Sequence, residues 1–412
     1  MVFSWDLLRK LDAAYGDSFF YVDVDAFDEN FHKFLGAFRS IYPNTNIGYS
    51  YKTNYLPRLC QRVLTMGGYA EVVSRMEYEL ARRIGVPPDR IIFNGPYKTA
   101  GDLEQALLSG SICNLDWIPE LDVVEQIAAA APKRTLNVGL RCNIDIGSDR
   151  ISRFGFDVEA QEFPLAVERI RRLENCSLGG LHFHSSSGHR SLESYALRTK
   201  RMLQLCADQF SGTAPRFINL GGGYFSNMCS ALREQFTDPV PTFEDYAGAI
   251  ASQVTAMYPG NATPELIVEP GSALTADVMS FVARIVSVKQ VRSRAVALAS
   301  GSIHNIKPTL HSKNMPMAII GHANVPSRTD YTAIDVVGYT CMEHDVLFEK
   351  YSGPVAAGDY ALFSNVGAYT IVMKPPFIRP APAIITYNRG SGQFETIKRR
   401  ERFDDVFAAY TF

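Results

Sequence analysis

A regular alternation of strand-like and helix-like segments through the first two-thirds of the chain constrains the fold most strongly. Short apolar runs such as IGYSY, RIIF and ELIV alternate with segments whose apolar residues recur at a period near 3.6. Short connections between such segments predict parallel strands joined by helical crossovers. About eight strand-like runs in roughly 250 residues match the size of a (β/α)8 barrel.

The pattern changes after Gly271. The runs VMSFVARIVSVKQV, AVALAS and AIITYN are β-rich, and Gly, Pro and Asn separate them with few helical segments between. This sequence pattern predicts a second, mostly antiparallel β-domain, either a sandwich or a barrel. The sequence therefore predicts an α/β protein with a (β/α)8 barrel at 26–272 and a β-domain built from 1–25 and 273–412.

Composition excludes several classes of protein. The 41 basic and 43 acidic residues give a formal charge of −2, which predicts neither nucleic acid nor a membrane surface as a partner. No segment approaches roughly 18 uninterrupted apolar residues, and the N-terminus lacks a basic segment followed by an apolar run, so we expect a cytoplasmic protein. The seven cysteines form no CxxC pair, which argues against a disulfide framework and a zinc site.

Residues at the carboxyl ends of barrel strands are the first candidates for chemistry, because active sites of such barrels lie there. Lys52 follows the strand IGYSY. A partly buried lysine has a lowered pKa and can form a Schiff base, whereas a lysine in a surface loop has no such role. Gly221, Gly222 and Gly223 follow FINL, where glycines let backbone N–H groups approach a phosphate or simply form a tight turn.

Two further strand ends carry ionisable side chains. Glu269 and Gly271 belong to the EPG that closes LIV, and a carboxylate there either caps the strand or keeps a pyridine nitrogen protonated. His182 and His184 share one face of a strand because they lie two residues apart. The pair is compatible with a metal site, but a third ligand at matching spacing is missing. An imidazole stacked on a ring, with Ser187 bonding a phosphate, fits equally well.

Six motifs occur in an order that resembles one family. YSYKTN, HFHSSSG, NLGGGY, VEPGS, CMEHD and GAYT are similar to segments of the alanine-racemase-like pyridoxal-phosphate decarboxylases, a group that includes ornithine, arginine and diaminopimelate decarboxylases. The resemblance extends from Tyr21 to Phe377. It implies pyridoxal 5′-phosphate (PLP) as cofactor and loss of the α-carboxylate from an amino-acid-like substrate.

The resemblance also implies roles for individual residues. Lys52 resembles the Schiff-base lysine, His184 the histidine that stacks on the cofactor ring, and Glu269 the partner of the ring nitrogen. The other implied cofactor contacts are Glu71, where the family usually has aspartate, Ser187, Gly221, Gly222, Gly223, Gly271 and Tyr369. Cys341 resembles the cysteine that one subunit inserts into its neighbour's site to protonate the product. That likeness implies a homodimer with active sites at the subunit interface.

Two departures from the family pattern concern the distal end of the substrate. Ser272 replaces the arginine of EPGR, which in diaminopimelate decarboxylases helps to hold the far carboxylate. Met342 stands where the family has an acid that pairs with a distal amine, and a thioether cannot compensate an ammonium. Glu343 or Asp345 could take over that pairing.

A third departure suggests the substrate class. Lys307 and His311 in HNIKPTLH replace an arginine and a tyrosine of diaminopimelate decarboxylases and either form a cationic pocket or lie in a solvated loop. With Ser272, Met342 and Tyr369 they are the predicted substrate contacts, suited to a carboxylate-rich tail. In these departures the chain resembles siderophore-pathway decarboxylases that act on citryl-diaminopropionate, as in staphyloferrin B assembly, and the resemblance implies such a substrate. The alternatives are a diaminopimelate, ornithine or lysine decarboxylase and, further off, an amino-acid racemase or a non-catalytic homologue.

Overall fold

The computed structural model describes residues 2–147, 151–185, 190–210, 213–260, 264–322, 328–373 and 376–412. The chain divides into two compact units. The barrel unit consists of Asp28–Phe225 and Asp238–Leu274, and the β-unit consists of Met1–Phe27, Ser226–Thr237 and Thr275–Phe412. The domain boundaries at 26 and 272 that the sequence predicts stay a prediction.

The secondary structure alternates through the barrel unit and is strand-rich in the β-unit. The strands are β1 (Ser18–Val22), β2 (Thr45–Ser50), β3 (Tyr69–Val72), β4 (Ile91–Phe93), β5 (Ile112–Leu115), β6 (Leu136–Asn143), β7 (Phe156–Asp157), β8 (Cys176–His182), β9 (Phe217–Asn219), β10 (Glu265–Val268), β11 (Met279–Val291), β12 (Arg294–Ala299), β13 (Met317–Ile320), β14 (Thr329–Val337), β15 (Val346–Val355), β16 (Tyr360–Ser364), β17 (Ala383–Asn388) and β18 (Gln393–Lys398). The helices are α1 (Trp5–Tyr15), α2 (Val24–Arg39), α3 (Pro57–Thr65), α4 (Arg75–Arg83), α5 (Ala100–Ser109), α6 (Ile118–Ala130), α7 (Glu162–Arg171), α8 (Leu192–Gln209), α9 (Ser230–Arg233), α10 (Phe243–Met257), α11 (Ser272–Thr275), α12 (Ile303–Ile306) and α13 (Phe403–Val406).

Eight parallel strands close the barrel unit within the described residues. The ring runs β2, β3, β4, β5, β6, β8, β9, β10 and back to β2, with β5–β6 and β10–β2 completing it. The strands β3, β4 and β9 are buried along their whole length, as expected when helices cover the outer face and side chains fill the interior. The predicted (β/α)8 architecture is confirmed.

An apolar cluster lies inside the barrel. Tyr69, Ile92, Phe217 and Ile267 pack together as a buried group. Tyr69 and Phe217 are the first residues of β3 and β9. The amino ends of these two strands therefore contribute aromatic rings to the cluster, and the buried acid Glu71 lies further along β3.

The β-unit is built around the 13-residue strand β11, which pairs with β1, β12 and β16. The described residues of this unit form one nine-stranded sheet. Its pairings are antiparallel except for β1–β17 and β12–β14, which are parallel. The sheet is therefore mostly antiparallel, as predicted. None of the described helices combines the length and the apolar character needed to cross a bilayer.

Candidate active site

Lys52 lies at the carboxyl end of β2 and pairs with a buried acid. It belongs to a single 3₁₀ turn, Tyr51–Thr53, that directly follows the strand. Its Nζ lies 2.6 Å from Oε2 of Glu71, whose side chain is fully buried on the neighbouring strand β3. Ser50 Oγ donates to the same oxygen at 2.6 Å. The amine is thus held at a defined position in the barrel mouth rather than in a surface loop.

Glu269 follows β10 and is buried among hydrogen-bond donors. Its Oε1 accepts from Asn94 Nδ2 at 2.8 Å and from Asn219 Nδ2 at 2.6 Å. Burial alone would raise the pKa of Glu269, but His182 and the charge of Lys52 hold it well below the usual range. The group is therefore a carboxylate. Its Oε2 lies 3.4 Å from His182 Nε2 and accepts no hydrogen bond from the described residues.

His184 lies just beyond β8 with a fixed tautomer. The backbone N–H of Gly222 donates to its Nδ1 at 3.0 Å, so the ring proton resides on Nε2. Desolvation by burial, with the charges of Lys52 and Arg141, lowers the pKa of His184 well below its ordinary value. The ring is thus a neutral, flat surface at neutral pH.

Two amides of the glycine loop after β9 bond to protein groups, whereas the sequence suggested that they approach a phosphate. The N–H of Gly221 donates to Asn219 Oδ1 at 2.9 Å, and that of Gly222 is taken by His184. Both amides therefore act within the protein. Glycine is required here for close packing, because a Cβ at either Gly221 or Gly222 would lie 2.3 Å from a backbone oxygen. Gly223, with φ of +102°, adopts a backbone conformation that favours glycine.

Gly271 allows the turn after Glu269 to pack against the turn that carries Lys52. A Cβ at Gly271 would lie 2.1 Å from Thr53 Oγ1. The two turns therefore approach each other more closely than a larger residue would permit. Ser272, the first residue of α11, is partly exposed beside them.

Arg141 connects the carboxyl ends of β6 and β8. Its Nη1 lies 3.2 Å from Asp116 Oδ1, and its Nη2 donates to the carbonyl oxygen of His184 at 3.2 Å. Burial lowers the pKa of Arg141, and Asp116 opposes that effect. This buried pair thus holds the backbone of His184 in place.

The β-unit carries the predicted residues of the CMEHD motif. Cys341 is exposed, and Met342 is partly exposed. Asp345 is buried, and its carboxylate accepts from the backbone N–H groups of Ile303 at 2.6 Å and Thr340 at 3.0 Å. Each oxygen thus accepts one backbone hydrogen bond, and the burial of Asp345 favours a structural role over the pairing with a distal ammonium that the sequence left open.

Three other predicted residues lie elsewhere in the β-unit. Tyr369 adopts φ of +60°, a left-handed conformation that is uncommon for a large side chain and is often found at functional positions. Lys307 is buried, its Nζ donates to the carbonyl oxygen of Lys313 at 3.1 Å, and burial lowers its pKa. His311 is at an exposed position, so the two residues of the proposed cationic pocket differ in environment.

One predicted residue and several unpredicted ones complete the site. Ser187 lies outside the described residues. The sequence analysis missed Asn94, Asn114 and Asn219, which follow or belong to β4, β5 and β9 and are all buried. Each is an amide near the end of an apolar strand. The strand-end argument that found Lys52 would have found them if it had been applied to uncharged polar residues.

The barrel unit provides the groups that PLP requires. Lys52 is an amine in the barrel mouth, and His184 is a neutral flat ring. The buried Oε2 of Glu269, which accepts no hydrogen bond from the described residues, is the acceptor that a protonated pyridine nitrogen needs. The residues present therefore fit the cofactor.

Comparison with solved structures agrees with the fold. A diaminopimelate decarboxylase structure from M. jannaschii superposes with a TM-score of 0.86 at 22% identity, covering 98% of this chain and 94% of that one. The arginine decarboxylase of Paramecium bursaria Chlorella virus, bound to agmatine, gives a TM-score of 0.74 at 21% identity, covering 90% and 97%. Identities this low establish similarity of fold alone.

Sequence comparison extends the likeness to the family. Diaminopimelate decarboxylase of Aquifex aeolicus is 25% identical over 417 aligned residues, covering 97% of this chain and 93% of that protein. L-glutamyl-[BtrI acyl-carrier protein] decarboxylase of Niallia circulans is 26% identical, covering 87% and 84%. The family model of the pyridoxal-dependent decarboxylase, pyridoxal binding domain, matches residues 28–276. The chain is a PLP-dependent carboxy-lyase and belongs to the pyridoxal-dependent decarboxylases.

Proposed function

We propose that this decarboxylase removes the α-carboxylate of an amino-acid conjugate with a carboxylate-rich tail, specifically citryl-diaminopropionate in a staphyloferrin B-type siderophore pathway. Two features together carry the proposal. Lys307 is buried, and Met342 stands at the position where the decarboxylases that this chain resembles have an acid. A buried lysine, together with a thioether in place of that acid, favours an anionic substrate tail over an ammonium.

The residues of the barrel unit supply the common part of the reaction. Lys52 Nζ would hold the cofactor, His184 would orient its ring, and Glu269 would keep the ring nitrogen protonated. Bound PLP supplies a conjugated system that accepts the electron pair left behind when the carboxylate departs as CO₂. Cys341 Sγ, or Lys52 Nζ itself, then returns a proton to the α-carbon. Glu71, whose Oε2 lies 2.6 Å from Lys52 Nζ, would position that nitrogen.

The anionic tail is proposed to meet Lys307, with Ser272, His311, Met342 and Tyr369 as further contacts. Burial destabilises the ammonium of Lys307, so an incoming carboxylate would recover electrostatic energy there. Among relatives, the protein from Niallia circulans acts, by its name, on a glutamyl group attached to a carrier protein. A substrate larger than a free amino acid therefore has a parallel in the family.

Diaminopimelate is the second candidate substrate, because two relatives that each cover 97% of this chain carry that activity in their names. CO₂ release should be measured with citryl-diaminopropionate, meso-diaminopimelate, ornithine and lysine at equal concentrations. We expect the highest kcat/KM with the citrate conjugate. Faster turnover of any free diamino acid would contradict the proposal.

A variant pair tests the role of Lys307. Lys307→Gln keeps a donor for the Lys313 carbonyl but removes the charge, and we expect KM for the citrate conjugate to rise about tenfold, with a smaller effect on meso-diaminopimelate. Lys289→Gln is the matched control, because Lys289 is an exposed lysine of β11 in the same unit. An equal KM in Lys307→Gln and Lys289→Gln would remove Lys307 from the substrate site.

We further propose a cytosolic homodimer in which Cys341 of one subunit serves its neighbour's site. Mixing Lys52→Ala and Cys341→Ala proteins under subunit exchange tests this directly. Shared sites predict that the mixture regains activity, because some hybrid sites contain both native residues. A mixture as inactive as its components would contradict the shared site.

A further inference from the structure

Asn94 occupies the point where the two catalytic carboxylates of the barrel approach each other. It follows β4 and is buried. Its Nδ2 donates to Glu71 Oε1 at 3.0 Å and to Glu269 Oε1 at 2.8 Å. One amide nitrogen therefore uses both of its hydrogens on the acid that pairs with Lys52 and on the acid assigned to the cofactor nitrogen.

A second amide fixes the orientation of Asn94. Asn114 Nδ2 donates to Asn94 Oδ1 at 2.7 Å, so a flipped Asn94 would place its oxygen against two carboxylates. Asn114 itself fits only because residue 139 has no side chain. A Cβ at Gly139 would lie 1.9 Å from Asn114 Oδ1. Gly139, Asn114 and Asn94 thus form a continuous support for the two acids.

Two buried carboxylates that share one donor repel each other unless their charges are compensated. The charged and titratable groups that act on this pair include Lys52, His182, His184, Arg141, Glu77 and Tyr224. The Asn94 amide adds one hydrogen bond to each of the two acids.

We propose that Asn94, oriented by Asn114, is a positioning residue that holds Glu71 and Glu269 in fixed orientations and so couples the Lys52 end of the cofactor site to the ring-nitrogen end. The inference rests on the proposed roles of Lys52 and Glu269. Removing donors from carboxylates makes the cluster bind protons more tightly. When the Asn94 amide is removed, the pH midpoint of the protonation changes seen in the bound cofactor should therefore rise.

The experiment compares Asn94→Leu, Asn114→Ala and the control Asn46→Leu in holoenzyme. Asn46 Nδ2 donates to Glu265 Oε1 at 3.0 Å, so the control removes an amide–carboxylate bond from the opposite end of the same barrel. The readouts are the pH midpoint of the cofactor's visible absorbance band, kcat and KM measured separately, and the site of borohydride trapping.

In Asn94→Leu we expect trapping to remain on Lys52, the midpoint to rise by about one unit, and kcat to fall about tenfold or more with KM nearly unchanged. Asn114→Ala should give a smaller shift of the same sign, and it decides the question if Asn94→Leu does not fold. Asn46→Leu should leave the midpoint unmoved.

A midpoint and kcat like those of the wild type in both Asn94→Leu and Asn114→Ala, with trapping on Lys52 intact, would overturn this inference alone. Failure of wild-type enzyme to trap on Lys52 would overturn the proposed function, and the inference with it.

Discussion

The carboxylate of Asp345 is expected to stabilise the loop that carries Cys341. It accepts two backbone hydrogen bonds, from Ile303 at 2.6 Å and Thr340 at 3.0 Å, and it is buried. Asp345→Asn keeps one acceptor, but turns an NH₂ group towards a backbone donor. There is no room to turn away, because even a Cβ at Gly338 would lie 2.2 Å from Asp345 Oδ2.

The magnitude follows from these two contacts. A hydrogen bond to a charged group contributes about 1.5–3 kcal/mol, and a buried donor left without a partner costs a similar amount. We therefore expect Asp345→Asn to destabilise the protein by about 2–4 kcal/mol. For a unit of this size that is a fall in melting temperature on the order of 10 °C.

Thermal unfolding followed by circular dichroism measures the effect, with Glu343→Gln as the control. Glu343 is exposed in the same loop, so its substitution should change stability by less than about 0.5 kcal/mol. An Asp345→Asn protein as stable as the control would refute the structural role of the carboxylate. If it were also impaired only towards substrates with a distal ammonium, Asp345 would be the substrate's partner instead.

Two further predictions concern the cofactor site. Glu269→Gln should retain a cofactor on Lys52 but lose at least about 100-fold in kcat, because an amide cannot keep the ring nitrogen protonated. Steady-state kinetics and absorbance spectra measure the two effects. A kcat within about threefold of wild type would contradict the prediction. His184 has a lowered pKa when folded, so the unfolded chain binds its proton more readily and stability falls as pH drops below about 6.5. His184→Gln should make the stability profile between about pH 6.5 and 5 shallower, whereas the exposed control His32→Gln should not; identical slopes contradict the burial argument.

The sequence predicted the fold because the pattern that encodes it is local. Each barrel strand is a short apolar run followed by a helix. Parallel strands that are apolar on both faces must be covered by helices, which is the arrangement of an α/β fold. The same locality explains why strand ends located Lys52, His184 and Glu269, which the structure gathers in one unit.

The parts that sequence reasoning missed depend on contacts between distant residues. Asn94 matters because Glu71 and Glu269 meet it from two other strands, and no spacing in the sequence reveals that meeting. Asp345 looked like a candidate ligand for substrate, but a backbone amide 42 residues away occupies it. The glycines after β9 looked like phosphate donors, but two of their amides bond to Asn219 and His184.

The most direct test of the whole account is to reduce the purified holoenzyme with borohydride and locate the pyridoxyl group by peptide mass spectrometry. The account predicts one modified residue, Lys52, and no adduct in Lys52→Ala protein. A pyridoxyl group on Lys98, on Lys307 or on any other lysine, or on none, would contradict the assignment of the active site to the mouth of the barrel.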